Sequence, residues 1–305
     1  NNLSIDDFSV EEFTPTTIVS TGAGGLWSDV ATWVGGVVPS SDNNVVISAG
    51  ATVNLNVNIA RVQNLQVDGI LQYNSTTATI LLQTLGSFTV TATGTYNSFS
   101  GTTGKRTYIG GNIDNAGTIN FAISATSTSE AALIWLGYGP YTFTNSGTIS
   151  FSKINTIWCA VTQGVTFNSP VVNTFRFVLA LGTVNPNGNL TLGNSASNTT
   201  MTIERLKGSF TTAPLFGSGV TRSVSYTDGT GVTSVLASQP YSPSKETISP
   251  GEEVEVIGTR TITGTMLVAT HGRLQLAYPL NVGTASTGAL TLTRGIVMTD
   301  ATNIL

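Results

Sequence analysis

The sequence predicts an all-β chain folded as a right-handed parallel β-helix. Short apolar strands alternate with turn-forming residues along almost the whole chain, and no long helical pattern interrupts them. A loose repeat of a glycine, a small or polar residue and an alternating strand recurs at Gly69, Gly94, Gly117 and Gly147, with spacings of 25, 23 and 30 residues. A solenoid coil takes roughly 20 to 30 residues. An antiparallel sandwich, with turns about every 8 to 12 residues, stays an alternative because each coil also contains several turns.

The composition favours a folded chain with a sizeable core. Of the 305 residues, 40% are hydrophobic and only 9% are charged, so Thr, Ser and Asn supply most of the surface polarity. The 12 basic and 16 acidic residues form no basic block, which excludes nucleic acid as an expected partner. No apolar run approaches about 18 residues, so no membrane span is predicted.

The elements follow in three parts. Residues 1–14 read as a strand without a local partner, and we interpret them as the tail of a preceding β-sandwich module. Residues 15–305 are predicted to form the β-helix, with an irregular insertion around residues 210–250 that contains several prolines. The best helical candidate, residues 129–136, is too short to be credible. The chain stops as a new repeat begins, so we expect a solenoid truncated at its C-terminal end and a longer natural protein.

Two segments resemble known modules. Residues 25–71 carry a pattern that resembles the opening of β-helical modules in large surface proteins of the Bacteroidota, which are exported by type IX secretion. The residues of this pattern are Trp27, Trp33, Gly35, Gly36, Pro39, Asp42, a Val-Ile strand and Gly50. Residues 3–10, LSIDDFSV, resemble the last strand of jelly-roll, lectin-like modules. The conserved C-terminal sorting domain of such cargo is not in this sequence.

The resemblance implies a secreted or cell-surface, extracellular location and a role in adhesion, gliding motility or display. The partners it implies are surface glycans (carbohydrate binding) or other cell-surface proteins, and the secretion machinery during export. Within the pattern, Trp27 and Trp33 are expected to cover the open apolar end of the first coil, with sugar stacking as the alternative. Asp42 is expected to form an Asx-type turn, with calcium binding beside Asp29 as the alternative.

Acidic residues are the first place to look for catalysis, because many parallel β-helices cleave polysaccharides with carboxylates. Between Asn43 and Lys245 only five acids occur, and no two are neighbours. They are Asp68, Asp114, Glu130, Glu204 and Asp228. Asp68 and Asp114 lie 46 residues apart, about two coils, so stacked coils offer a catalytic pair there as an alternative.

Two acidic clusters stand outside that region. Glu252, Glu253 and Glu255, with Glu246 upstream, are interpreted as a solvated edge that discourages strand pairing, with a metal site as the alternative. Strand alternation places Glu253 and Glu255 on one side and Glu252 on the other. The second cluster belongs to the presumed preceding module. It consists of Asp6, Asp7, Glu11 and Glu12.

The remaining candidates for chemistry have ordinary structural explanations. His271 is the only histidine and precedes a turn glycine, so we interpret it as a turn residue. Cys159, the only cysteine, lies in an apolar run and is expected to be a buried, inert thiol. Residues 101–107, GTTGKRT, are interpreted as a polar loop because they depart from the phosphate-binding pattern. Thr-x-Thr pairs such as Thr89/Thr91 could line up across coils as a flat hydroxyl array of the kind that binds ice, which is a remote third hypothesis.

Together these observations predict a non-enzymatic structural or adhesive module, with no catalytic residue, cofactor or metal site assigned. The rival class is a β-helical polysaccharide lyase or glycoside hydrolase, which would show two carboxylates in a groove or an Asp cluster beside Arg176 or Arg205. A third class is export cargo bound to its secretion machinery.

Overall fold

The chain forms a parallel β-solenoid of about ten turns, as predicted. The computed structural model describes residues 14–73, 81–100, 103–121, 131–151, 155–173, 175–194, 200–227, 232–235, 245–256, 258–283 and 288–299. The presumed tail of a preceding module therefore lies, except for Thr14, outside the described residues.

The described elements are one 3-10 helix, Val30–Thr32, and 37 short strands. In chain order the strands are β1 (Thr16–Val19), β2 (Gly24–Leu26), β3 (Asn43–Ile47), β4 (Thr52–Leu55), β5 (Ile59–Val62), β6 (Leu65–Val67), β7 (Ile70–Tyr73), β8 (Leu81–Thr84), β9 (Phe88–Val90), β10 (Thr95–Asn97), β11 (Phe99–Ser100), β12 (Thr103–Gly104), β13 (Arg106–Ile109), β14 (Ile113–Asn115), β15 (Thr118–Phe121), β16 (Ala131–Gly137), β17 (Tyr141–Asn145), β18 (Thr148–Phe151), β19 (Asn155–Val161), β20 (Val165–Phe167), β21 (Val171–Asn173), β22 (Arg176–Leu181), β23 (Thr183–Asn185), β24 (Leu190–Leu192), β25 (Thr200–Arg205), β26 (Ser209–Phe210), β27 (Leu215–Phe216), β28 (Thr221–Tyr226), β29 (Val232–Val235), β30 (Lys245–Ile248), β31 (Glu253–Val256), β32 (Arg260–Ile262), β33 (Thr265–Val268), β34 (Arg273–Leu276), β35 (Leu280–Val282), β36 (Leu290–Leu292) and β37 (Ile296–Thr299).

A typical turn contributes one strand to each of three faces. One face is a nine-stranded sheet from β1 to β26, and a second comprises a six-stranded sheet followed by the three strands β21, β24 and β27. The third face, here called the long sheet, has eleven strands and runs from β5 to β36. Turn lengths in the long sheet range from 20 residues, as from Thr156 to Arg176, to 26, as from Arg106 to Ala132. These lengths match the coil spacing that the sequence indicates.

The repeated glycines form one column at the corner between the first and second faces. Thr95, Thr118 and Thr148 donate their backbone N–H groups to the carbonyls of Gly69, Gly94 and Gly117, respectively, one turn earlier. A Cβ atom on Gly117 would lie 2.2 Å from the Thr91 carbonyl oxygen and 2.3 Å from that of Gly94. Only glycine fits this corner because successive turns are in backbone contact there.

The core is built from ladders of inward-facing apolar side chains. Along the nine-stranded sheet one ladder is in register over six turns, and each of its side chains is at most 1% exposed. Its members are Val45, Leu65, Phe88, Ile113, Phe143 and Phe167. Burying such side chains stabilises the fold by roughly 1.5 to 3 kcal/mol each.

Two tryptophans pack into the first turn of the solenoid. Trp27 and Trp33 are each 2% exposed, and their rings meet edge to face with centroids 5.0 Å apart. The Trp33 indole N–H donates to the Trp27 carbonyl at 2.8 Å. Both rings belong to the hydrophobic core, and their burial leaves no face for sugar stacking. That they cover the open end of the first coil stays a prediction.

The rejection of a helix at residues 129–136 agrees with the structure, in which residues 131–136 lie in strand β16. Inward side chains of this strand pack in the core and outward ones are shielded from solvent, so apolar residues occupy both faces. One local prediction is wrong. The GTTGKRT segment is not simply a polar loop, because Arg106 and Thr107 lie in β13 and Lys105 is only 3% exposed. Burial lowers the pKa of the Lys105 ammonium group. Within residues 210–250, the described strands β28 and β30 belong to the long sheet.

Candidate functional site

The outer face of the long sheet carries two side-chain columns parallel to the solenoid axis. In the first column, Arg106 pairs with Ala132, which pairs with Thr156, and Thr156 pairs with Arg176. The second column begins two residues later along each strand, because alternate side chains point to the same side of a sheet. It contains Tyr108, Ile134, Trp158 and Val178.

These two columns form a groove of about 610 Å³. The residues that line it are Arg106, Tyr108, Ala132, Ile134, Leu136, Thr156, Trp158 and Arg176. Its floor is shielded from solvent, since Ala132, Ile134 and Thr156 are at most 9% exposed although they point away from the core. Tyr108 and Trp158 are partly exposed, and Arg106 is exposed. The groove therefore combines an apolar floor, two aromatic rings and two guanidinium groups, within the size range of small-ligand sites.

Of the described residues, one acidic side chain contacts the groove lining. Glu204 accepts a 2.6 Å charged hydrogen bond from the Arg176 Nη2 atom, and the two side chains are 20% and 30% exposed. The bond holds one edge of the guanidinium group in place. Among the described residues that line the groove, none is an Asp or a Glu.

The structure does not bring Asp68 and Asp114 into one column. Asp114 pairs with Thr89, and Thr89 pairs with Gln66, so Asp68 is two residues away along the strand direction and two turns away along the axis. Asp68 accepts hydrogen bonds from the side chains of Gln66 and Thr91. Both carboxylates lie on the nine-stranded sheet or its corner, away from the groove. The same register shows that the Thr89 column is interrupted by Asp114 before it reaches Thr144, so it is not a continuous hydroxyl array.

The acidic cluster near residue 250 is divided between two environments. Glu253 and Glu255 are partly exposed on one side of β31, and Glu252 is 3% exposed on the other, as strand alternation predicts. The interpretation as a solvated edge is wrong for Glu252 and also for Glu246, which is 2% exposed inside the solenoid. Its position matches that of Val224 on the preceding strand, which points into the core.

Glu246 is held by a buried polar network. Its carboxylate accepts hydrogen bonds from the Tyr226 hydroxyl and from Arg260, whose Nη2 atom lies 2.8 Å from Oε1. Arg260 is 4% exposed and reaches inward from β32. Arg205, one of the arginines considered for catalysis, is also 4% exposed, donates to the Gly208 carbonyl and lies 5.7 Å from the Tyr226 ring centre. These contacts describe a structural network enclosed by the core.

The single histidine and cysteine have the predicted structural positions. His271 is an exposed turn residue with a φ of 61°. Cys159 is 1% exposed, and burial raises the pKa of its thiol. A protonated, enclosed thiol is a poor nucleophile, so the prediction of an inert cysteine is confirmed.

In the turn predicted at Asp42, the side chain that bonds the backbone is that of Asn43. The Asn43 side-chain oxygen accepts the Ser40 backbone N–H at 2.9 Å, while Asp42 bonds to the Ser41 hydroxyl. Asp29 caps the 3-10 helix by accepting the Ala31 backbone N–H at 2.9 Å. Among the described residues, no group of three or more His, Cys, Asp and Glu side chains is arranged to hold a metal ion.

Sequence reasoning did not predict the groove, although it named Arg176. The signal was the run of residues 131–136, AALIWL, which is apolar at outward as well as inward positions. Such a run on a strand indicates that both faces are covered. Because this run was considered only as a weak helix candidate, the covered outer face was not predicted.

The first turns of the chain match a known domain. Residues 32–97 match the G8 domain, which is found in extracellular proteins. This segment covers about a fifth of the chain and extends from the end of the 3-10 helix through β10. It agrees with an extracellular location. Searches of curated proteins and of solved structures gave no significant match. No helix among the described residues is long and apolar enough to cross a membrane.

Proposed function

We propose that the chain is a non-catalytic, structural and adhesive module of an extracellular surface protein, and that it binds glycan chains in the groove of the long sheet. The observation that carries this proposal is a preformed groove whose described lining residues include two aromatic rings and two arginines but no carboxylate. The G8 match supports the extracellular part of the proposal.

The solenoid suits a display or stalk role. Each turn contacts mainly its neighbours, so added turns lengthen the molecule without requiring a larger core. The long sheet is continuous from β5 to β36, which gives an elongated surface. A binding groove that runs along this axis presents several contacts to a polymer at once.

The lining of the groove favours glycan binding over hydrolysis. Glycoside hydrolases generally need two carboxyl groups roughly 5 to 9.5 Å apart. Glu204, the acid that contacts the described groove lining, is already paired with Arg176. Tyr108 and Trp158, by contrast, offer partly exposed rings in one column, two strand spacings apart or about 10 Å. Aromatic faces stack on the apolar faces of sugar rings, so this spacing suits a chain of linked sugars.

We further propose that the protein is a bacterial surface protein of the Bacteroidota type, exported by type IX secretion, with a role in adhesion or gliding. This finer assignment is supported by the resemblance of residues 25–71 to such modules. Export cargo in complex with its machinery is compatible with the same segment.

The groove is tested by replacing its largest ring. Trp158→Ala is expected to weaken binding to a panel of immobilised plant and bacterial polysaccharides by roughly fivefold, because loss of a stacked ring costs about 1 kcal/mol. Tyr278→Ala is the matched control, since Tyr278 is 48% exposed and does not line the groove. Binding is measured by affinity electrophoresis in native gels.

Two results would overturn the proposal. Equal binding by wild type and Trp158→Ala would exclude the groove as the glycan site. The appearance of new reducing ends or unsaturated products after incubation of the wild-type protein with the same panel would exclude the non-catalytic assignment and support the rival enzyme class.

A further inference from the structure

The second column of the groove carries its two aromatic rings at a fixed separation. Tyr108 pairs with Ile134, and Ile134 pairs with Trp158, so the two rings lie two strand spacings apart along the solenoid axis, or about 10 Å. Both aromatic side chains are partly exposed, whereas Ile134 between them is only 9% exposed. The column therefore offers two stacking positions with a shielded apolar residue between them.

A smaller cavity of about 210 Å³ adjoins the groove, and the two share Tyr108 and Leu136 as lining residues. The cavity also contains Gln83, which pairs with Tyr108 and extends the second column to three strand spacings, or about 14 Å. Tyr141 lines the cavity as well. A Cβ atom on Gly137 would lie 2.7 Å from the Tyr141 hydroxyl oxygen, so the glycine leaves room for this hydroxyl.

The polar groups of this cavity are neutral. The Gln83 amide oxygen accepts a hydrogen bond from the Arg61 Nε atom at 3.0 Å, and the NH2 group of the same amide is a donor. The Tyr141 hydroxyl can donate and accept. None of the described residues that line the cavity is charged. Amide and phenol groups bond sugar hydroxyls without requiring a charge on the ligand.

An extended β-1,4-linked glycan matches this row of positions. Each sugar in such a chain is turned over relative to the one before, so the same face recurs at every second sugar, over nearly the distance between the two rings. When the ring hydroxyls are equatorial, the faces of the sugar carry C–H groups, which stack on aromatic rings. The hydroxyls then point sideways. Chains with α-1,4 or β-1,3 linkages curve, so they cannot lie flat on both rings.

We propose that the groove and the adjoining cavity form one site for a neutral, extended β-1,4-linked glycan, a polymer of glucose or of N-acetylglucosamine. Alternate sugars stack on Tyr108 and Trp158, and hydroxyl groups bond to Gln83 and Tyr141. This proposal rests on the proposed glycan-binding function and specifies the linkage and charge of the ligand. All of these contacts are made by uncharged side chains, so the affinity should change by less than about twofold when the ionic strength is raised about tenfold.

The linkage is tested with uncharged hexasaccharides of equal length. Isothermal titration compares cellohexaose and chitohexaose, which are β-1,4-linked and separate the two polymers, with laminarihexaose (β-1,3) and maltohexaose (α-1,4). We expect cellohexaose or chitohexaose to bind at least about fivefold more tightly than the latter two, because only they stack on both rings. The disaccharide of the preferred polymer is expected to bind at least about fivefold more weakly than its hexasaccharide, because it reaches one ring only.

The contacts are tested by substitutions that remove one group at a time. Tyr108→Ala is expected to weaken binding of the preferred hexasaccharide about fivefold, and Tyr108→Phe, which keeps the ring, to leave it within about twofold. Gln83→Met keeps the length of the side chain but removes the amide, and is expected to weaken binding about fivefold. Gln275→Met is the control, since Gln275 is also partly exposed on a strand but lies in the four-stranded sheet. Circular dichroism of each variant verifies the fold.

The outcomes separate this inference from the proposed function. Equal binding of all four hexasaccharides would overturn the linkage preference and leave glycan binding intact. Binding of polysaccharides from the panel without binding of cellohexaose or chitohexaose would likewise overturn the inference alone. Binding of no saccharide at all would overturn both. Unchanged binding in Tyr108→Ala, or an equal loss in Gln275→Met, would contradict the assigned site by showing that the hexasaccharide is held elsewhere.

Discussion

At the scale of single residues, the buried Glu246–Arg260 ion pair makes stability depend on both of its members. Both side chains are at most 4% exposed, so their charges have lost contact with water and depend on each other and on Tyr226. Removing one member of such a buried pair leaves an uncompensated charge, which typically costs about 3 to 5 kcal/mol. Arg260→Met is therefore expected to reduce the free energy of unfolding by that amount, measured by urea denaturation followed by far-ultraviolet circular dichroism.

Two further variants test whether the cost comes from the unpaired charge. Glu246→Met combined with Arg260→Met removes both charges and is expected to recover most of the loss, because apolar replacement of a whole buried pair is often neutral or stabilising. Arg273→Met removes an ion pair at 3.9 Å with Glu253, in which the arginine side chain is 54% exposed, and should change stability by less than about 1 kcal/mol. A similar loss in both single variants would contradict this account.

The inward orientation of Glu246 could be predicted from the sequence, but its partners could not. In KETI, residues 245–248, Glu246 shares a face with Ile248, which indicates that it points into the core. Arg260 lies 14 residues further on, on another face of the solenoid. No local pattern links these residues, because the segment between them, which includes β31, sets which side chains meet.

At the scale of elements, the glycine column decides how closely successive turns can approach. Gly117→Ala is expected to lower the urea midpoint and to reduce stability by roughly 1 to 3 kcal/mol, because the added methyl group must displace two backbone carbonyls. Gly22→Ala is the matched control, since a Cβ atom there would have no heavy atom within 4 Å. Unfolding is followed by tryptophan fluorescence. A wild-type midpoint in Gly117→Ala would mean that the corner is not tightly packed.

The elements also show which parts of the fold can be predicted from the sequence. The corner glycines were predictable because close backbone contact between turns tolerates no other residue. Glycine therefore recurs at this position in successive turns of the sequence. The groove was not, because Arg106, Thr156 and Arg176 come together only through registers set by turns of different length. A sequence pattern predicts which face of the sheet a side chain lies on. It predicts less reliably which residue of the next turn lies beside that side chain.

At the scale of the whole molecule, the long sheet links two segments whose other faces differ. The nine-stranded sheet ends at β26 and the second face ends at β27, while a four-stranded sheet beginning with β29 and the pair β32–β35 cover the later turns. The buried Glu246 network lies at this change of faces. Its stability therefore affects how strongly the later turns are coupled to the earlier ones.

The two segments are expected to unfold at different urea concentrations, the C-terminal one first. The last described turn is open, with Leu292 and Ile296 each 48% exposed, whereas the earlier turns contain the aromatic ladders. All four tryptophans lie at or before position 158, so their fluorescence reports only the earlier segment, while circular dichroism reports both. The dichroism signal should begin to fall at a lower urea concentration than the fluorescence, and alkylation of the buried Cys159 should follow the fluorescence. Coincident transitions by all three probes would instead show that the long sheet makes the solenoid one cooperative unit.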